Sequence, residues 1–288
     1  MTETANIVGH YSGNGGGDLF ERLVAAMRDG GIEPQRATVR DLASYDQFHG
    51  RGLEATAEMA DEFVIRPEDH LLDIGSGIGG PARYFADRFG CRVSGIDLTA
   101  ELCEVARRLT ALVGLEDKVS CQQGDALAMP FAAGSFAGAY CMNVAMNIAD
   151  RTLLYGEALR VLRPGGWLIM SDLAKGPNHG LEYPTPWARD GASSFLLTPE
   201  DTQRTLELSG FDVLEVRNTL AENLDFAARS RAAVEGGGRP LQLAVMLIHG
   251  DLAPEAMRNV NRGLREQQII PTEFYCRKPA AVTVSNPG

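Results

Sequence analysis

Ten residues constrain this chain more than any others: Leu71-Leu72-Asp73-Ile74-Gly75-Ser76-Gly77-Ile78-Gly79-Gly80. A short apolar run carrying an acid breaks into glycines. A second apolar run, Cys91-Arg92-Val93-Ser94-Gly95-Ile96, ends about twenty residues later in another acid, Asp97. The order is strand, glycine turn, helix, strand, acid. It describes a nucleotide pocket at the carboxyl edge of a parallel sheet, with glycines where the backbone must pass close to a ligand.

From His70 onward strand and helix patterns alternate. Strands are expected at 71–74, 92–96, 119–122, 136–141, 167–171 and 211–217, with a last one at 274–277. Helices are expected at 81–89, up to about Val113, 153–162 and 199–209, with Arg163-Pro164-Gly165-Gly166 as the stop of the third. Such alternation predicts an α/β fold, a doubly wound and mostly parallel sheet of seven strands. Before it, Asp18 caps a helix carrying Leu19, Leu23, Ala26 and Met27, Gly30-Gly31 stops that helix, and a second helical pattern runs from Leu53 to Val64. Residues 45–52 read as a loop, and residues 1–17 as a mobile arm or a loop that orders over a ligand. The expected organisation is an N-terminal arm and helical cap (1–66), the main α/β domain (67–279) with cap insertions at about 175–197 and 219–265, and a tail (280–288).

The run Gly75-Ser76-Gly77-Ile78-Gly79-Gly80 satisfies G-x-G-x-x-G, which alone also fits a nicotinamide-dependent oxidoreductase. Three further features tilt the reading: Asp73 just before the first glycine, Gly124-Asp125-Ala126 at the third strand's end, and Val161-Leu162-Arg163-Pro164-Gly165-Gly166 leading into the fifth. With these in place, LLDIGSGIGG, GIDLT, GDALAMPF and LRVLRPGGWLIMSD resemble the class I S-adenosylmethionine-dependent methyltransferases across roughly residues 70–172. Asp46-Gln47-Phe48-His49 with Arg51-Gly52, the run Asn143 to Asp150, and Tyr183-Pro184-Thr185-Pro186-Trp187-Ala188 resemble the sarcosine/dimethylglycine methyltransferase-like branch.

The resemblance implies a Rossmann-like methyltransferase sheet with helical cap elements, S-adenosylmethionine as cofactor, and direct in-line methyl transfer to a small molecule. It implies that Gly75, Ser76 and Gly77 approach the methionine and ribose parts, with Asp73 reaching a cationic group of the ligand. Asp97 accepts both ribose hydroxyls, since a carboxylate offers two oxygens to two adjacent donors. Leu98 packs on adenine, and Asp125 and Ala126 bind its amino group and ring. Met142 and Asn147 stand near the sulfonium, and Gln47 holds the amino-acid end. His49 or Tyr45 takes the acceptor's proton. Tyr183, Trp187, Phe195 and Phe226 wall the acceptor. The nearest branch points to N-methylation of a small amine; the apolar cap residues suit C- or O-methylation of an isoprenoid, polyketide or sugar.

Blander roles stay open for several of these residues. Asp97 also reads as a helix cap, Asp125 as a turn residue, Asn143 and Asn147 as caps, and His49 as a hydrogen-bonding loop residue. The formal charge of −11 and pI near 5.0 make nucleic acid and anionic membrane poor partners. Cys91, Cys103, Cys121, Cys141 and Cys276 are odd in number and form no C-x-x-C pair, so reduced thiols are expected. His10, His70, His179 and His249 are scattered without ligand spacing, so no metal site is expected. A polar, acidic start and short apolar runs give a cytoplasmic expectation. The sequence leaves the oligomeric state open, a homo-oligomer included.

Overall fold

The computed structural model describes residues 3–12 and 16–280, so part of the expected arm and almost all of the expected tail lie outside the described residues. Four helices come first: α1 (Glu3–Tyr11), α2 (Leu19–Asp29), α3 (Val39–Asp46) and α4 (Leu53–Ala60). Then follow β1 (His70–Ile74), α5 (Gly80–Phe89), β2 (Arg92–Asp97), α6 (Ala100–Leu112), β3 (Val119–Gln123), β4 (Phe136–Met142), α7 (Arg151–Val161) and β5 (Leu162–Lys175). The chain continues through α8 (Pro199–Leu208), β6 (Asp212–Asn218), α9 (Leu220–Glu235), α10 (Ala244–His249), α11 (Ala253–Arg265) and β7 (Ile269–Arg277).

Local chemistry sets many of these boundaries. Asp18 accepts from the Phe20 amide at 2.8 Å, Asp150 from Leu153 at 2.9 Å and Thr198 from Asp201 at 3.1 Å, each satisfying a donor left over at a helix start. Thr38 and Asp41 form a reciprocal capping box on α3.

The seven strands lie in the order β3-β2-β1-β4-β5-β7-β6. All neighbours are parallel except β7, which runs antiparallel to both β5 and β6. Successive side chains of β1 point to opposite faces, so Leu72 and Ile74 join one core with Leu154 and Tyr155 of α7. Leu71 joins the other, with Phe85 of α5 and Met59 of α4. Strand order reverses between β1 and β4, and the crevice at their carboxyl ends is where open α/β sheets bind ligands.

The structure departs from the sequence reading in five places, one being β7, which begins at Ile269 rather than at Phe274. Much of the expected arm is the helix α1. The expected loop at residues 45–52 begins inside α3, which carries Tyr45 and Asp46. The helical pattern at 53–64 stops at Ala60, and Val64 is exposed. Finally, β5 starts at Leu162, since Arg163 to Gly166 form an irregularity within the strand opposite Ala137. The Gly165 amide donates to the Lys278 carbonyl and the Lys278 amide to that of Gly166, so β7's end holds this Pro-Gly-Gly stretch.

Candidate active site

The glycine turn is bent by its own chemistry and tied to the neighbouring strand. The amides of Gly75 and Ser76 both donate to the Ile96 carbonyl, at 2.8 and 3.0 Å. Gly75 has φ +72°, and a Cβ there would lie 2.2 Å from Val144 Cγ2. Gly80 opens α5, where a Cβ would meet the Asp46 carbonyl at 2.3 Å. Gly75→Ala is therefore expected to push the Asn143–Val144 segment into the crevice and to abolish detectable binding of S-adenosylmethionine in calorimetry. Wild-type affinity in that variant would mean that the close approach is not part of the binding site.

A cavity of about 270 Å³ opens above this turn. Of the residues expected to hold a cofactor, Asp73, Gly75, Ser76, Gly77, Asp97, Leu98, Asp125, Ala126, Met142 and Asn147 line it. Asp97 accepts from the Gly77 amide at 2.9 Å on one oxygen and from the Thr99 amide at 2.8 Å on the other. Each oxygen keeps a lone pair for a further donor. Asp125 accepts from Leu127 at 2.8 Å, an Asx turn that fixes the backbone of the Ala126 wall. Asn147 is heavily committed: its amide donates to the Trp187 and Ser193 carbonyls at 2.7 and 3.0 Å and accepts from the Tyr11 hydroxyl at 3.1 Å.

Asp46 Oδ1, Asp73 Oδ2 and Ser76 Oγ are buried among the lining residues without a well-formed hydrogen bond, and the buried Tyr140 hydroxyl lies beside Asp73. Orphaned buried acceptors are costly, and they call for a donor that a ligand supplies. Burial first, and then the neighbouring Asp97, push the Asp73 carboxyl up to about 8. Asp46 is also raised by burial, against the pull of Arg83, which donates to its Oδ2 at 2.9 and 3.3 Å.

A second cavity, of about 380 Å³, adjoins the first, and Tyr11, Phe48, His49 and Asn143 line both. His49 is buried, with Nδ1 3.1 Å from the Gly50 carbonyl. Its Nε2 faces Thr56 Oγ1 at 2.9 Å and Gln47 Oε1 at 3.1 Å. Burial pushes the ring down to about 4, so it is neutral at pH 7. The unfolded chain binds a proton here below its ordinary value of 6.5, and the folded chain only near 4. This group's contribution to stability is therefore lost as pH falls through that window.

Not every expected residue reaches a cavity. Tyr45 is packed with Leu23 and Met27 of α2, its hydroxyl over Gly30. It lines neither cavity, because the last turn of α3 carries it to the opposite side from Asp46 and Phe48. Gln47 lines neither as well, since Thr56 and His49 engage its side-chain oxygen. Trp187 and Phe226 line the second cavity. Tyr183 packs in the cluster behind Trp187, and Phe195 contributes backbone bonds to Met146 and Arg151, so neither lines a cavity. Residues the sequence reading missed are Thr4, Ile7 and Tyr11 of α1, Asp46, Phe48, and the cavity stripes of α9 and α11.

Residues 72–170 match the family described as "Methyltransferase domain". The chain is 32% identical over 165 residues to the methyltransferase GfsG of Streptomyces halstedii, covering 54% of this chain and 59% of that protein. It is 32% identical over 142 residues to phosphoethanolamine N-methyltransferase 1 of Arabidopsis thaliana, covering 47% of this chain and 28% of that one. The matched stretch thus spans less than two thirds of either relative. In three dimensions it resembles a geranyl diphosphate C-methyltransferase from Streptomyces coelicolor A3(2), crystallised with Mg2+, geranyl-S-thiolodiphosphate and S-adenosyl-L-homocysteine. The TM-score is 0.67 at 19% identity, over 96% of this chain and 98% of that one, a likeness of fold. Among the described residues, no helix is long and apolar enough to cross a membrane.

Proposed function

We propose that this chain, whose residues 72–170 match the methyltransferase-domain family, transfers a methyl group from S-adenosylmethionine to a small molecule. The observation that carries the reading is the set of under-bonded buried oxygens, Asp46 Oδ1, Asp73 Oδ2 and Ser76 Oγ, beside a glycine turn facing Asp97. An α-ammonium offers three donors to such acceptors, and vicinal ribose hydroxyls offer two to Asp97. No arginine or lysine among the described residues lines the first cavity to neutralise the pyrophosphate of a dinucleotide. When bound, S-adenosylmethionine supplies a methyl carbon on a sulfonium, an electrophile already activated.

What remains for this chain's residues is positioning. Tyr11, Phe48, His49 and Asn143 border both cavities, where an acceptor in the second meets the first. Holding two reactants in line supplies up to roughly 7–11 kcal/mol in well-aligned intramolecular models. His49 presents a neutral imidazole at this border as partner for the acceptor's proton. A nitrogen acceptor is the first this reading takes, supported by the phosphoethanolamine N-methyltransferase among the relatives, provided the nitrogen arrives uncharged. Carbon or oxygen of a specialised metabolite is the second, supported by the apolar second cavity.

Calorimetry with S-adenosylmethionine and with NAD(P) tests the cofactor; binding of the dinucleotide alone overturns the reading. Labelled cofactor with amine, prenyl and phenolic acceptors tests the transfer, and label in the amines alone supports the first acceptor.

The Asp73 carboxyl adds a pH dependence. Between its ordinary value of 3.8 and about 8, the unbound fold retains a proton that the unfolded chain has lost. The group's contribution to stability therefore falls as pH rises through that window. A cationic ligand favours the ionised carboxylate, so binding below pH 8 releases a proton and affinity climbs as pH approaches 8. Calorimetry at about pH 6.5 in two buffers of different ionisation enthalpy reads this release directly. Identical heats in the two buffers would show that Asp73 does not ionise on binding.

A further inference from the structure

We infer that the second cavity takes an apolar acceptor without positive charge, clamped between facing stripes of α9 and α11. The inference rests on the proposed methyl transfer for the word acceptor, while the chemistry of the cavity stands by itself. On α9, Asn223, Phe226, Ala227, Ser230, Arg231 and Val234 line the cavity, a spacing of three and four that marks one helix face. On α11, Met257, Val260, Asn261 and Leu264 repeat that spacing. No residue of α9 is buried, although the stripe includes Phe226 and Val234. The apolar members of that face, Phe226, Ala227 and Val234, gain burial when an apolar body fills the hollow.

Charge points the same way. No aspartate or glutamate lines this cavity. Its two charged residues are arginines. Arg51 is buried and neutralised by Glu58 at 2.7 Å and Glu273 at 3.2 Å, and Arg231 sits exposed in the last turns of α9, four residues before Glu235. The other polar groups are neutral at pH 7: the amides and hydroxyls of Asn143, Asn223, Asn261, Ser230 and Gln242, with Tyr11, Trp187 and the His49 imidazole. An ammonium entering this space loses its hydration and finds no carboxylate, whereas a neutral or anionic apolar molecule does not face that loss. Nitrogen stays available as nucleophile where it is uncharged, as in an indole or an aniline. The volume, about 380 Å³, falls within the roughly 300–1,000 Å³ usual for drug-sized ligands, well above the needs of a two-carbon amine.

Three probes with one body and three charges test this: 2-naphthol, 2-naphthoate and 2-naphthylmethylammonium. Their binding to the full chain is read by calorimetry at neutral pH, with and without S-adenosylmethionine. Naphthol and naphthoate are expected to bind about tenfold or more tighter than the ammonium. Ala227→Glu made together with Arg231→Gln, so that the arginine one turn on does not neutralise the new carboxylate, should reverse that order. Equal or tighter binding of the ammonium to the wild type overturns the inference. So does an order that the double variant fails to change, because the probes then sit elsewhere. Failure of S-adenosylmethionine to bind while the naphthalene order holds overturns the methyl-transfer reading and leaves the ligand class of this cavity standing.

Discussion

Arg83→Met is expected to destabilise the fold by about 3–5 kcal/mol, because it leaves the Asp46 carboxylate buried without its counter-charge. The two side chains are 0% and 1% exposed. Besides Asp46, the guanidinium donates to the carbonyls of Ile78 at 2.7 Å and Ala106 at 3.2 Å and to the Thr110 hydroxyl at 3.3 Å. One side chain therefore joins the end of α3, the glycine turn and α6. Urea unfolding followed by circular dichroism measures the loss. The double variant Arg83→Met with Asp46→Leu removes the stranded charge and should recover a large part of it. A single variant as stable as the wild type would show that Asp46 is protonated in the native state, and that the pair is not what ties the loop down.

The second large effect belongs to Asp97. Replacing it by alanine should weaken S-adenosylmethionine by about 1–3 kcal/mol, roughly 5- to 150-fold, through lost charge-assisted hydrogen bonds. The same change releases the Gly77 and Thr99 amides, so a modest fall in thermal stability accompanies it. Asn at this position keeps one acceptor and should lie between alanine and the wild type. Unchanged affinity in calorimetry, alongside lowered stability, would reduce Asp97 to a cap of the glycine turn and α6.

The sheet was legible because its strands are short apolar runs punctuated by glycine, and because parallel pairing forces them to alternate with helices. The glycine turn and the acids at the ends of β2 and β3 were legible for a related reason: close backbone approach and paired acceptors demand particular residue types at particular spacings. What stayed hidden depends on contacts between distant parts of the chain. The Tyr11 hydroxyl meets Asn147 across 136 residues, and Arg83 meets Asp46 across 37. Nothing local to Glu3–Tyr11 announces that this helix closes the crevice, since its neighbours are glycines and polar residues. Arg163 to Gly166 carry the punctuation of a stop, but the Lys278 backbone supplies the missing bonds and the strand runs on. Tyr45 and Gln47 flank the lining residue Asp46, and only the phase of α3 decides which of the three faces the cavity. The stripes of α9 and α11 were present in the sequence as a spacing of three and four. With no buried partner helix to explain them, they read only as cap elements.

The helix α1 has a kinetic consequence. Thr4, Ile7 and Tyr11 stand on the first cavity's wall, so part of the cofactor's enclosure is made by α1. Its hold on the rest of the molecule at Tyr11 passes through Asn147, and Asn147 in turn grips the Trp187 and Ser193 carbonyls of the segment beside the second cavity. Asn147 thus joins the α1 wall of one chamber to the Trp187 side of the other, and Tyr11→Phe, which breaks that link, is expected to speed dissociation of S-adenosylmethionine.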